Sequence, residues 1–542
     1  MGQFNIDKVF YFYKNSEYIK AKKLALKFLK KNNSNLALLN ILGLIYTNEY
    51  DFINAKKMYK KAINIFPKSA KLYSNLANVY QEETNFSMAE ELYLKTILLT
   101  PTNEITHIVY HNLANLYVLM HRYDLAEEMF NKAFKIKEDD RTLLFEYSLF
   151  LLKSKQYIDG FDLYRNRLQV QNNIDALGIE VNILTKGNDI YNKMILLVGE
   201  QGYGDIIQFM RYIPLFKKAG AIIYIITDKL LERVLKINYP EIVFVDDINK
   251  YKYDYQIPFM DAAYFFSTSY ETIPFQDKYL KVNQADSKII YDKYFKNETK
   301  KKIGIVWRSN IGTKDTIKKK AEREDRNIDL NDFLNYFLLE DIQLYSLQYG
   351  TTLQEKELLK KNNILSLGDN LVDFYDNALV IDNLDALISI ETVMVVIAGA
   401  MCKETTVLLS ENPGWLWGFE GDSTNWYRSL NLLRKSDTWD ITINEIAKSQ
   451  SLFKYKISIE MKIAIKYHQE NNLIEAEKMY RKVLKNEPNN ADAYHYLGVI
   501  AFDNGFVKES IILIKESIRL NPELDEAYIN LKKIVESIHK II

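Results

Sequence analysis

The sequence predicts a two-lobed α/β region, built of two parallel sheets and flanked on both sides by all-α repeat arrays. Three observations predict it. Residue types recur at a spacing of 34 near the start of the chain and again near its end. Between about Lys186 and Lys448 that spacing vanishes, and short Ile, Val and Leu runs alternate with helical stretches. One such run, Met194 to Val198, empties into a glycine-rich turn that opens a helix.

In the repeats, a unit starting at Leu36 carries Leu39, Leu42, Gly43, Tyr46, Ala55, Tyr59, Ala62 and Pro67. A unit starting at Ala70 carries Tyr73, Leu76, Ala77, Tyr80, Ala89, Tyr93, Thr96 and Pro101 at the same offsets. An earlier unit keeps Phe12 and Ala21, the phase resumes at His107 after an insertion, and a looser unit starts at Arg141. Small residues at fixed offsets let paired helices approach closely while larger ones fill the gaps. The pattern resembles the tetratricopeptide repeat. About five such units are expected over residues 1–170, and the phase returns over 455–542 with Ala464, Ala476, Tyr480 and Gly498 before a closing helix from Asp525. The first helices carry Asn75, Asn78, Asn112 and Asn115, which either line a concave groove for a protein segment or are simply solvated.

Composition narrows the function classes. Lys plus Arg and Asp plus Glu both total 71, so no global field recruits nucleic acid or an anionic membrane. Cys402 is the one cysteine, so no internal disulfide forms, and a reducing, cytoplasmic setting fits. The longest apolar run, Val393 to Cys402, is about half the roughly 20 residues of a membrane-spanning helix. The expectation is therefore a soluble protein, with no nucleic-acid partner and no membrane span.

In the middle region the expected strands are Met194 to Val198, Ile222 to Thr227, Ile242 to Val245, Tyr255 to Ile257, Ile303 to Val306, Gln343 to Leu347, Ala386 to Ile390 and Thr405 to Leu409. Most are unbroken apolar runs, as strands covered by helices on both faces require. Two sheets of nucleotide-binding-type topology are the economical arrangement, one over 186–298 and one over 299–448, with ligands at the strand C-terminal edges between the lobes. At the first such edge, Gly199, Gly202 and Gly204 free the backbone to approach a ligand, and a helix start favours an anion. Asp205 fits two roles there: a helix cap, or a base that takes a proton.

Four blocks carry a family resemblance: G-E-Q-G-Y-G-D-I-I-Q-F-M-R-Y-I-P-L from Gly199, G-I-V-W from Gly304, S-L-Q from Ser346 and I-S-I-E-T-V-M-V-V-I-A-G-A from Ile388. Together with N-P-G-W-L-W from Asn412, they resemble the heptosyltransferase-like glycosyltransferases, and more closely bacterial proteins that fuse such a region to tetratricopeptide repeats. The resemblance implies a GT-B-like enzyme of two Rossmann-like lobes. Such an enzyme is metal-independent and inverting, needs no cofactor and takes a nucleotide sugar as co-substrate. Asp205 matches the family's proposed base. Trp307, Arg308, Arg326, Gln348, Glu391, Thr392, Ala398 and Gly399, with Gly202 and Gly204, are then the candidate nucleotide-sugar and phosphate residues. The loop Lys314 to Arg326, with Lys318, Lys319, Lys320 and Arg323, is either a further phosphate contact or a solvated loop. Trp415, Trp417 and Trp426 either wall the cleft or pack the lobe.

The pattern also breaks. Val396 stands where the family usually has a histidine, and Cys402 and Glu404 replace a usual glycine and proline; Cys402 reads as buried filler. Two functions follow: a transferase that glycosylates Ser or Thr of a repeat-bound protein, as flagellin-modifying and O-GlcNAc transferase relatives do, or a decayed scaffold that only binds proteins. Transfer to a glycan or lipid-linked sugar is a third and weaker reading.

Overall fold

The computed structural model describes residues 6–100, 104–170, 182–309, 325–337 and 342–435, then 439, 461, 464–465, 467–468, 472–486, 488–522 and 524–539. The chain divides into two compact units, Met1–Thr442 and Ile443–Ile542.

The first unit opens with five helix pairs: α1 (Ile6–Lys14) with α2 (Tyr18–Leu29), α3 (Leu36–Asn48) with α4 (Phe52–Ile65), α5 (Ala70–Glu82) with α6 (Phe86–Leu99), α7 (Glu104–Leu119) with α8 (Tyr123–Ile136), and α9 (Arg141–Lys153) with α10 (Tyr157–Tyr164). The small residues do what the spacing requires. Ala21, Ala55, Ala89 and Ala126 are fully buried, and a Cβ on Gly43 would lie 2.5 Å from the Tyr59 ring. Each turn within a pair places one residue in the left-handed region, namely Ser16, Tyr50, Thr84, His121 and Lys155, at φ of 56° to 65°. The main chain then closes each turn, as when Asp51 donates to Tyr46 and Asn85 to Tyr80. Asp51 and Asn85 start the next helix by accepting from the N–H groups of Asn54 and Met88.

Two wholly parallel sheets follow. The first has the order β3-β2-β1-β4, from β1 (Met194–Val198), β2 (Ile222–Ile226), β3 (Val243–Phe244) and β4 (Tyr255–Pro258). The second has the order β10-β9-β8-β5-β6-β7, from β5 (Lys301–Val306), β6 (Ile342–Ser346), β7 (Leu365–Ser366), β8 (Ala386–Ile390), β9 (Thr405–Leu409) and β10 (Leu430–Arg434). Counted within its own sheet, the second order is that of a doubly wound Rossmann sheet, and the first is the same order shortened. In each, the direction of winding reverses beside the first strand, between β1 and β4 and between β5 and β8. The short β7 and the edge strand β10 go beyond the strands the sequence suggests.

Repeats and sheets share a core. Tyr157 and Phe161 of α10, Phe209 after β1 and Trp426 before β10 are buried in one apolar cluster, and the Trp426 indole donates to the Tyr157 hydroxyl at 3.0 Å. Arg211, fully buried, donates to the carbonyls of Pro274 (3.3 Å) and Trp426 (3.0 Å), and Arg233 pairs with Asp376 at 2.7 Å. The second unit is helical among its described residues: Leu473–Asn486 and Ala491–Asp503 pack around Ala476, Tyr480, Ala493 and Leu497, and Val507–Leu520 and Asp525–His539 around Ile514, Ala527 and Ile534. Among the described residues no helix is long and apolar enough to cross a membrane.

Candidate functional site

Doubly wound sheets leave a crevice where the winding reverses, at the C-terminal ends of two neighbouring strands. At the first reversal β1 runs out at Val198 and Gly199 turns. A Cβ on Gly199 would meet the Thr227 hydroxyl at 2.9 Å and the Ile226 carbonyl at 3.1 Å, so this glycine serves strand packing. Gln201, with φ +63°, takes the left-handed conformation of the turn, whereas Gly202 has φ −86°.

Asp205 lies in the first turn of the helix Tyr203–Phe209, half-buried, and accepts from the Gly202 N–H at 3.0 Å. Burial lifts its carboxyl to about 6; the Gly202 bond and the nearby Arg167 cation pull the other way, and the Glu391 carboxylate pushes it up. Asp205 thus caps the turn, and burial raises its affinity for a proton. The expectation that this turn cradles phosphate meets two obstacles. The Gly202 N–H is already engaged, and a Cβ on Gly204 would touch Val396 at 3.5 Å, so that side of the turn faces the other lobe's helix.

A side chain from the repeat array enters the first reversal. Arg167, on the short helix α11 (Arg167–Val170), is fully buried between Glu200 after β1 and Asp261 after β4. It pairs with Glu200 and with Asp261 (2.6 Å), and donates to the Tyr164 carbonyl at 3.2 Å. Burial holds the Glu200 carboxyl above its ordinary value despite the arginine. The sequence gives no sign of this triad, because its members come from three separate stretches of chain.

At the second reversal Glu391 and Thr392 follow β8, and Trp307 and Arg308 follow β5. One oxygen of Glu391 accepts from the Trp417 indole at 2.7 Å and from the Gly414 N–H at 3.1 Å; the other is buried without a hydrogen bond, 3.9 Å from Arg326. A carboxylate repels phosphate and accepts from hydroxyls, so Glu391 suits a sugar or ribose oxygen. Thr392 precedes the helix Val393–Ala400, its hydroxyl 3.0 Å from that of Ser389. Gln348 accepts from the N–H groups of Trp307 (3.3 Å) and Arg308 (3.1 Å), tying β5 to β6.

Several sequence expectations change here. Arg308 is read from the sequence as a phosphate contact; its guanidinium instead grips Glu355 through two N–H groups at 2.8 and 2.9 Å, and the Trp307 indole donates to the same carboxylate at 2.8 Å. That grip holds the Glu355 carboxyl down at about 2. Ala398 is fully buried, and a Cβ on Gly399 would strike the Tyr427 ring at 2.6 Å, so both serve packing. Trp417 and Trp426 are buried. Cys402 is exposed, not filler, and takes the left-handed position (φ 56°) that ends the helix Val393–Ala400. Lys318, Lys319, Lys320 and Arg323 lie outside the described residues.

In the repeats, the asparagines bond to one another across units: Asn75 donates to Asn40 at 2.8 Å and Asn112 to Asn78 at 3.2 Å, while Asn115 is half-buried. Much of this polar row therefore stitches successive repeats together.

Models of the tetratricopeptide repeat family match residues 36–69 and 68–139. The N-terminal array is built of tetratricopeptide repeats. Similar solved structures include that of Pseudomonas aeruginosa pilF (19% identity, covering 32% of this chain and 82% of that one, TM-score 0.27) and of MamA (19%, 32% and 99%, 0.27). Another is a thermophilic TPR protein of Thermus thermophilus (15%, 31% and 92%, 0.29). Likeness this low and this partial has no bearing on the parallel sheets. No curated protein matches the chain.

Proposed function

We propose that the chain is a metal-independent, inverting glycosyltransferase that uses a nucleotide sugar and glycosylates Ser or Thr hydroxyls of a protein held by its repeats. The observation that carries this reading is the approach of the two winding reversals: the helix of Asp205 meets, at Gly204, Val396 of the helix that follows Glu391, and the Asp205 carboxyl, raised to about 6, is within electrostatic reach of Glu391. In the reaction the acceptor oxygen bonds to the anomeric carbon from the face opposite the leaving group. The carbon–oxygen bond to the diphosphate breaks, and its electron pair leaves with the nucleotide. The hydroxyl proton passes to Asp205, which at neutral pH is mostly ionised. Glu391 accepts from a sugar or ribose hydroxyl. The repeats support a protein acceptor, since stacked helix pairs of this family form extended protein-binding surfaces.

Titration calorimetry with nucleoside diphosphates and nucleotide sugars tests the reading. Binding of one of them in the micromolar to millimolar range is expected, followed by transfer to a protein that Asp205→Asn abolishes. A protein that binds none of them is better described as a scaffold. That second reading is favoured by the engagement of Arg308 with Glu355 and by Val396, buried against Gly204 where the resembled family has histidine.

A further inference from the structure

Lys153 closes the last turn of α9 and reaches from the repeats toward the second sheet. Its ammonium lies 5.0 Å from the Phe419 ring, and that ring stacks on Tyr123 of α8 at 3.9 Å. Among the described residues no hydrogen bond or ion pair engages this ammonium. Burial, with the neighbouring Arg434 cation, brings the amine down to about 8, and Glu391 pulls the other way. Arg434 spends its N–H groups on the main-chain carbonyls of Trp417 (2.5 Å), Gly418 (3.3 Å), Glu420 (3.4 Å) and Gly421 (2.9 Å). The loop from Trp415 to Gly421 is therefore held beside two cations: Arg434, whose N–H groups are spent on carbonyls, and Lys153, whose ammonium has no hydrogen-bond partner among the described residues.

A half-buried ammonium without a counter-charge is costly, and a buried carboxylate oxygen without a donor is costly too. Here the two lie within electrostatic reach of each other, Lys153 on the repeat side and Glu391, with its second oxygen, after β8. A ligand with an anionic group for one and a hydroxyl for the other would satisfy both. A sugar joined to a diphosphate has that chemistry.

We propose that Lys153 binds the diphosphate group of the donor, so that the repeat array builds part of the donor site as well as holding the acceptor. The assignment rests on the glycosyltransferase reading for the identity of the ligand, and on the unpaired cation for its place.

The test is calorimetry on the full chain with inorganic pyrophosphate and with the nucleoside diphosphates of the panel above. Lys153→Met should weaken both by about tenfold or more while the melting temperature holds or rises, because an unpaired charge has been removed. Lys153→Arg should retain most of the affinity. Lys155→Met, at an exposed neighbour, should leave it unchanged. Wild-type affinity in Lys153→Met overturns the assignment and leaves the glycosyltransferase reading standing. Lys153-dependent pyrophosphate binding without nucleotide binding supports the anion site and removes the glycosyltransferase reading. Absence of both kinds of binding in the wild type removes both.

Discussion

Arg167 and Glu200 form an ion pair between the end of the repeat array and the turn after β1, with neither side chain more than 1% exposed. Asp261, equally buried, takes the other side of the guanidinium. The ends of β1 and β4 at the first winding reversal are thus bridged by the protein's own arginine. Deleting that cation strands two acids in a dry pocket. Arg167→Met should cost about 3–5 kcal/mol of stability, read from urea denaturation. The double variant with Glu200→Gln should recover part of the loss. Additive effects would show that the pair is not coupled.

Asp205→Asn separates base from cap. Asparagine keeps an oxygen for the Gly202 N–H, so the turn should survive. Transfer to the acceptor should fall by about 10²- to 10⁴-fold. The stability change has a defined sign. A carboxyl raised above its unfolded value to about 6 contributes stability only while protonated, and that contribution is lost as pH rises through 6. The variant should therefore melt higher than wild type at about pH 8, with the gap closing toward about pH 4. A variant that melts lower at the alkaline end would mean that the carboxylate is needed to hold the turn.

The repeat core makes a simpler prediction. Gly43→Ala places a methyl 2.5 Å from the Tyr59 ring, which is 1% exposed and has nowhere to go. The better helix propensity of alanine is outweighed by overpacking, and a net loss of about 1–3 kcal/mol is expected from thermal or urea unfolding. No loss would mean that neighbouring helices α3 and α4 slide apart at little cost.

Much of the architecture was legible because the physics is local. Ala386–Ile390 and Thr405–Leu409 are uninterrupted apolar runs, since strands covered on both faces need no polar alternation, and their bounds follow from the sequence. Leu365–Ser366 is too short to leave a signal, and Leu430–Arg434 carries Asn431 and Arg434 because it lies at an edge. The left-handed turns at Tyr50, Thr84 and His121 lack the glycine that would have marked them. At the site, the glycine-rich turn drew attention to Asp205, but Arg167, Lys153 and Glu355 were not visible. Each acts through a partner distant in sequence, and an arginine such as Arg308 looks the same in sequence whether it meets a phosphate or a glutamate.

Glu391 and Arg167 act on Asp205 in opposite directions, and this can be measured without any assay of transfer. The Glu391 carboxylate disfavours a second negative charge nearby, whereas the Arg167 cation favours it. Glu391→Gln should therefore lower the Asp205 midpoint from about 6 toward the ordinary carboxylate range, followed by carbon-detected NMR titration of the labelled side chain. Glutamine keeps an oxygen for the Trp417 indole and the Gly414 N–H, so the loop should stay in place. Arg167→Met, under conditions where it remains folded, should shift the midpoint upward. If transfer activity is present, its rising limb on the acid side should move with the titration in each variant. An Asp205 midpoint indifferent to Glu391→Gln would mean that the two winding reversals do not face each other closely enough to share one reaction.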